Sequence, residues 1–250
     1  MKLSVLALAS TSVIAISTAA IGQEQDEELR FGLGGAVVTQ DEGYKDVGSE
    51  TQFVPAIAIE YGDFRLLGPY ASYTFFKTDS FELAATGMLR LDGYEQADGD
   101  IFKGMEDRDM SFDFGLEAEI DTDFGEFGLK YTQDVTNTHE GYEATLSYGL
   151  PIMVEKGRIV PYIAASYASE DLTNYYYGVK ANEATADRTF YQVDSATNFE
   201  VGVSSDWFFG QNHMIKADIS YTSFDSSIKD SPLVDKSGTF QVLLGYVYVF

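Results

Sequence analysis

Residues 109–121 read DMSFDFGLEAEID. Met110, Phe112, Phe114, Leu116, Ala118 and Ile120 fall on one face of an extended chain. Ser111, Asp113, Gly115, Glu117, Glu119 and Asp121 fall on the other. Successive side chains of a strand point to opposite faces, so the two sets stay apart. On a helix the acids would circle the whole circumference and leave no apolar stripe. A one-residue slip would carry four carboxylates to the apolar side, which pins the register.

The alternation recurs along the chain. Leu29, Phe31, Leu33 and Val37 share a face, as do Phe53, Ile57, Ile59 and Tyr61. Phe127, Leu129, Tyr131 and Val135 oppose Glu126, Lys130, Thr132 and Asp134. Phe199, Val201, Val203 and Trp207 oppose Asn198, Glu200, Gly202 and Asp206. Short turns (DTDFG, EKG, FGQN) contrast with long, polar, acidic stretches at 39–50, 93–108, 171–195 and 225–237. Short turns on one rim and long loops on the other describe an outer-membrane barrel. Its apolar face meets lipid and its polar face fills the lumen. A soluble β-sandwich also alternates. Strands of this length, with Tyr131, Tyr142, Tyr167, Trp207 and Tyr221 near their ends as interface girdles, favour the barrel.

Parity sets the strand count. With the first strand entering from the periplasm, the loops at 39–50 and 93–108 both lie outside. Two crossings must then fit between residue 64 and the TDS turn at 78–80, and Gly68-Pro69 is the natural break. The expectation is an all-β, antiparallel up-and-down transmembrane barrel of twelve strands. The piece 64–68 is shorter than the ~9–11 residues of a spanning strand. Ten strands with an irregular segment is the alternative.

Composition sets limits on function. The 250 residues carry 40 acids and 16 bases, a net charge of -24. A chain so acidic lacks the basic face that nucleic acid requires. With no Cys there is no disulfide and no thiolate nucleophile or metal site. At the start, Lys2, an apolar run from Leu3 to about Ile16, and small residues from Ser17 to Gly22 describe a secretory signal peptide. The expected division is a signal peptide at 1–22 cleaved near Ala20 or Gly22, an acidic leader at 23–28 and a barrel at 29–250. The apolar run is shorter than the ~20 residues a membrane anchor needs.

The final stretch, SGTFQVLLGYVYVF, alternates aromatics through Tyr246, Tyr248 and Phe250. It resembles the C-terminal signal by which the barrel-assembly machinery recognises bacterial outer-membrane proteins, and it is expected to pair with the first strand. Further stretches carry a family likeness: FGLGGAVVTQDEGYKD, EYGDFRLLGP, NYYYGVKANEA, TNFEVGVSSDWFF and DSPLVDKSGTFQVLLGYVYVF. In order and spacing the chain resembles the MipA/OmpV family of outer-membrane proteins, named for an MltA-interacting protein. The acidity of its loops departs from that pattern. The resemblance implies residence in the outer membrane of a Gram-negative bacterium, among lipid and lipopolysaccharide. It also implies a scaffold role, with a lytic transglycosylase and a murein synthase as partners. Other members are described in osmotic adaptation, adhesion or antibiotic response.

Candidate sites are few. His139 in NTHEG and His213 after FGQN read as solvated residues on opposite rims, too far apart to share a metal or a triad. No Ser, Asp or Asn spacing marks a catalytic group, so no enzyme, cofactor or metal is expected. The inward carboxylates Asp113, Glu117, Glu119, Glu143, Glu200, Asp206 and Asp218 outnumber the inward bases Arg90, Lys130 and Lys216. They read either as a lumen filled by paired charges or as a narrow passive channel for cations or small solutes. The acidic loops are open to Ca2+ or Mg2+ but match no EF-hand, and simple solvation accounts for them. Tyr175, Tyr176 and Tyr177 form an outer-loop aromatic cluster, either a contact patch for a sugar or partner or packing over the barrel mouth.

Overall fold

A computed structural model describes residues 29–41 and 43–250. The expected signal peptide and leader lie outside the described residues. The chain forms β1 (Arg30–Asp41), β2 (Ser49–Tyr61), β3 (Phe64–Leu67), β4 (Tyr70–Lys77) and β5 (Phe81–Arg90). Next come β6 (Ser111–Thr122), β7 (Gly125–Asp134), β8 (Tyr142–Gly149), β9 (Ile152–Val154) and β10 (Gly157–Ala168). A short helix, α1 (Glu170–Tyr177), precedes β11 (Ala196–Phe209) and β12 (His213–Ser223). One helical turn, α2 (Ser226–Lys229), leads to β13 (Gly238–Val249).

Every pairing is antiparallel, and strands adjacent in sequence pair with one another except β8 and β9. β13 pairs with β1 from Gly32↔Val249 to Gln40↔Gln241, which closes the sheet on itself. Joining the two ends of the sheet meets the condition for a β structure in hydrocarbon, except where the short β3 leaves the upper part of β2 unpaired. β8 and β9 both pair with β10 and make one stave, so thirteen segments form twelve staves. The interruption has a cause. Leu150 N–H bonds to Pro161 O at 3.0 Å, but Pro161 has no N–H to return, and Pro151 follows at once. The two crossings demanded by parity are β3 and β4, with Gly68 at φ +55° turning between them. β3 is only 4 residues long, so this hairpin stops partway up the wall.

Outward side chains are the alternating apolar set: Phe53, Phe112, Leu116, Leu129, Leu146, Val201 and Leu244 are all exposed. Near the long-loop rim Tyr131, Tyr142 and Tyr167 run ring to ring, at 5.6 and 6.2 Å between centroids. Such a row suits an interfacial girdle. At Gly115 the neighbouring backbone comes so close that a Cβ would fall 1.7 Å from Tyr131 O, so only glycine fits. Among the described residues no helix is long and apolar enough to cross a membrane.

The compact apolar core lies in the long loops. Tyr44, Tyr94, Ile101, Phe102, Met105, Val179, Val193, Ile228, Leu233 and Val234 are buried together above the barrel. This corrects the reading of those loops as simply polar and solvated. Most of their acids face water, Asp92 and Glu183 excepted, while single apolar residues between them turn inward, a pattern with no regular period to detect.

Candidate functional site: a charged lumen under an aromatic lid

The strand registers bring the inward charges into two groups. In the first, Arg90 on β5 lies among three carboxylates. Its Nε donates to Asp113 Oδ2 at 2.7 Å, and its Nη1 donates to Asp92 Oδ2 at 3.1 Å. Glu143 Oε2 stands 3.4 Å from Nη2. Ser111 Oγ donates to the other oxygen of Asp113 at 2.8 Å. In the second, Arg158 Nε donates to Asp206 Oδ2 at 3.2 Å, with Glu126 at 3.4 Å. Lys216 Nζ approaches Asp206 Oδ1 at 3.3 Å.

The remaining candidates are placed as follows. Tyr70 donates to Glu117 Oε2 at 2.6 Å, and Glu117 also pairs across the ladder with Lys130. Tyr162 donates to Glu200 Oε1 at 2.8 Å and lies 3.4 Å from Asp218 Oδ2. Glu119 is half-buried and makes no hydrogen bond or ion pair among the described residues. Most of the seven carboxylates are therefore held by a hydroxyl or a cation, as buried acids require. The lumen surface is uneven: β5–β8 and β10–β12 carry these charges, while the middle of β13, β1 and β2 presents small apolar residues between Gln40, Gln52 and Gln241 above and Arg30 and Glu60 below.

His139 departs from the sequence reading. It is 4 % exposed, with Nε2 3.4 Å from Asp113 Oδ1. Gly141 N–H donates to its Nδ1 at 3.0 Å, so the ring proton sits on Nε2 and faces Asp113. The loop folds inward because Asp134 accepts from the N–H groups of Thr136, His139 and Glu140. His213 is exposed on the other rim, 2.7 Å from Tyr246 O–H.

Above the lumen the loops form a lid. Tyr44 sits at its centre, with Phe102, Tyr94 and Tyr177 at 5.1, 5.5 and 5.5 Å. Tyr94 stacks on Phe102 at 3.9 Å. Of the three clustered tyrosines on α1, Tyr176 is buried, and Tyr175 and Tyr177 are half-buried against the lid. Arg108 and Glu183 lock the loops together. Arg108 Nη2 lies 3.0 and 3.1 Å from the two carboxylate oxygens, with side-chain exposures of 2 and 1 %. Glu183 also accepts from Glu106 N–H at 3.0 Å and Lys180 N–H at 2.9 Å. Burial alone would raise the Glu183 carboxyl. Those N–H donors and the guanidinium outweigh it and hold the group below the usual range. Arg188 donates to the carbonyls of Ile101, Lys103 and Glu183, stitching loop to loop. The sequence reading missed Arg108 and Arg188, since nothing local marks a base whose loop-to-loop partners, Glu183 and Ile101, lie 75 and 87 residues away.

Asp92, just above β5, is a strained member of the Arg90 group. Burial pushes its carboxyl up to about 6, although Arg90 pulls the other way, and its Oδ1 has no hydrogen-bond partner among the described residues. A folded value above the unfolded ~3.9 means the folded state holds the proton more tightly. The contribution of Asp92 to stability is then greatest at low pH and falls as pH rises through about 4 to 6. Asp92→Asn is expected to be more stable than wild type at about pH 8, by on the order of 1–2 kcal/mol, with the gap closing below about pH 4. Urea midpoints at the two pH values check this.

Comparison with known proteins agrees with the barrel. The family model described as "MltA-interacting protein MipA" matches residues 31–250. Outer membrane protein OmpV of Vibrio cholerae is 31 % identical over 157 residues, 63 % of this chain and 61 % of that protein. The match thus spans about three-fifths of the Vibrio relative. The MltA-interacting protein of Escherichia coli K12 is 24 % identical over 227 residues, 89 % of this chain and 91 % of that protein. Among solved structures, an outer membrane channel from Pseudomonas putida F1 superposes with a TM-score of 0.45 at 12 % identity, covering 92 % of this chain and 100 % of that one. A closed twelve-stave barrel, an apolar outer belt and a match over nearly the whole described chain lead to one statement: this chain belongs to the MipA family of Gram-negative outer-membrane proteins.

Proposed function

We propose that the protein is a non-catalytic scaffold, a closed outer-membrane barrel that holds a murein-remodelling enzyme at its periplasmic rim. The observation that carries this reading is the lid. Its buried aromatic core and the Arg108–Glu183 pair lie across the outer mouth, and paired charges line the lumen wall below. A barrel closed in this way supports docking better than conduction. The name of the Escherichia coli relative supports a transglycosylase as the kind of partner. The rim offers contacts: Phe124 tips the β6–β7 turn at 79 % exposure, and Phe250 beyond β13 is also exposed. The aromatic end of β13 is further proposed to engage the barrel-assembly machinery through Tyr246, Tyr248 and Phe250. Lipid and lipopolysaccharide are the proposed surroundings of the outer belt.

The excess of inward carboxylates favours a rival, a cation-selective pore. Planar-bilayer recording with the purified protein separates the two readings. The expected result is electrical silence, together with recovery of a lytic transglycosylase on the immobilised barrel and its loss with Phe124→Asp. Cation-selective steps abolished by Glu117→Gln with Glu119→Gln would overturn the scaffold.

A further inference from the structure

The barrel wall is not continuous. β3 and β4 meet at Gly68 and Pro69, and above that turn β2 and β5 have no strand between them and do not pair with each other. The last link on the β2 side is Gly68 N–H to Ile57 O at 3.0 Å, and on the β5 side Leu89 N–H to Pro69 O at 2.9 Å. Backbone groups alternate sides along a strand, so Pro55, Phe53 and Thr51 aim theirs the same way as Ile57, into the gap. No backbone group of a described residue bonds to them there. Position 55 is filled by the residue with no N–H to leave bare, as on an edge strand. Above the gap the 91–110 loop leans on the first long loop, where a Cβ on Gly99 would fall 2.9 Å from Val47 Cγ2. The result is a window framed by β2, the Gly68 turn, β5 and that loop.

Behind the window lies the apolar part of the lumen. The inward rows across β2, β1 and β13 are Val54–Ala36–Gly245 and Ala56–Gly34–Val247. Below them a cavity toward the periplasmic end is lined by Gly32, Ala58, Leu67 and Val247 together with Arg30, Glu60 and Arg65, so the apolar panel ends there. The Arg90 and Arg158 groups stand on other strands, β5 to β8 and β10 to β11. Outside, the window is continuous with the lipid-facing belt, where Phe53 and Ile57 flank one side and Leu89 the other. Hydrocarbon is therefore already the neighbour at this opening, and the lid bars the axial route. Bare backbone at this depth is tolerated only beside a polar partner or a cavity. A polar head near Thr51 and Phe53 supplies the first, and an alkyl chain beyond it matches the panel. A partner strand fits less well, because Pro55 breaks the donor row and the Gly68 turn and the 91–110 loop confine the free edge.

We propose that the window is a lateral port, admitting the alkyl chain of a single-chain amphiphile from the outer leaflet to the apolar panel of the lumen. The inference stands apart from the scaffold reading and survives its failure. To test it, the full-length protein in lipid vesicles is irradiated with palmitic acid carrying a terminal diazirine, and adducts are mapped by peptide. Adducts are expected on the inward residues Val54 and Ala56. They should fall about tenfold or more in Ala56→Trp, which fills the panel. Should that variant not yield a heat-modifiable barrel, Gly245→Leu obstructs the same panel from β13. Adducts confined to outward Phe53 and Ile57, and unchanged in the variants, would overturn the port. Disulfide dimers of Thr51→Cys that exclude the label would overturn it too, giving the edge to a second copy.

Discussion

Arg108→Met is expected to open the lid while the barrel stays standing. The wild-type guanidinium contacts both oxygens of Glu183, donates to Tyr175 O at 2.7 Å and Glu106 O at 2.7 Å, and lies 5.6 and 5.5 Å from the Tyr94 and Tyr175 rings. Its removal leaves a buried carboxylate without its cation, a loss of roughly 3–5 kcal/mol. The loss falls on loops that can open separately from the strands. Proteinase K added to intact cells should therefore cut within 93–108 and 171–195 faster by roughly two to three orders of magnitude, since each 1.4 kcal/mol of opening is about tenfold. Heat-modifiable mobility should persist. Unchanged cleavage would mean that the aromatic core alone holds the lid. The wild-type lid should also loosen in acid. The Glu183 carboxyl is held low in the folded state, so its contribution is complete above the ordinary glutamate range and is lost as pH falls below it. Pepsin cleavage of the loops, normalised to an unfolded control, should rise steeply below about pH 4.

Arg90→Met acts on the barrel itself. Asp92, Asp113 and Glu143 then face one another with their shared cation gone. The expected loss is again roughly 3–5 kcal/mol, now in the urea midpoint of the whole barrel. A second substitution separates charge from packing. Arg90→Met with Asp113→Asn should recover part of that loss, because one repelling carboxylate has been removed, so the pair is non-additive. Additive losses would show that Arg90 serves by filling space.

The partners of the two arginines show what was legible in advance. Arg90, Asp113 and Glu143 were placed on the inner face by alternation alone, since a strand offers only two sides. Their convergence on one guanidinium needed the pairings Arg90↔Ser111, Asp113↔Asp134 and Thr132↔Glu143, which set neighbouring strands in register. Arg108 and Glu183 gave no signal. They lie in irregular loops 75 residues apart, where no period ties a residue to a face. His139 was misplaced for the same reason: a loop residue carries no alternation to say whether it points in or out.

By itself, the sequence determined the strands, their lipid-facing set, the two rims and the even count, because period two and parity are local arithmetic. It even marked the short β3 as the weak point of the wall. Tertiary structure alone decided that the loops close over the mouth, that an apolar panel at the middle of β13, β1 and β2 stands apart from the Arg90 and Arg158 groups, and that the short hairpin leaves a window beside that panel. Those features depend on which distant segments become neighbours. Closing a sheet of twelve staves chooses those neighbours, and no single stretch records the choice.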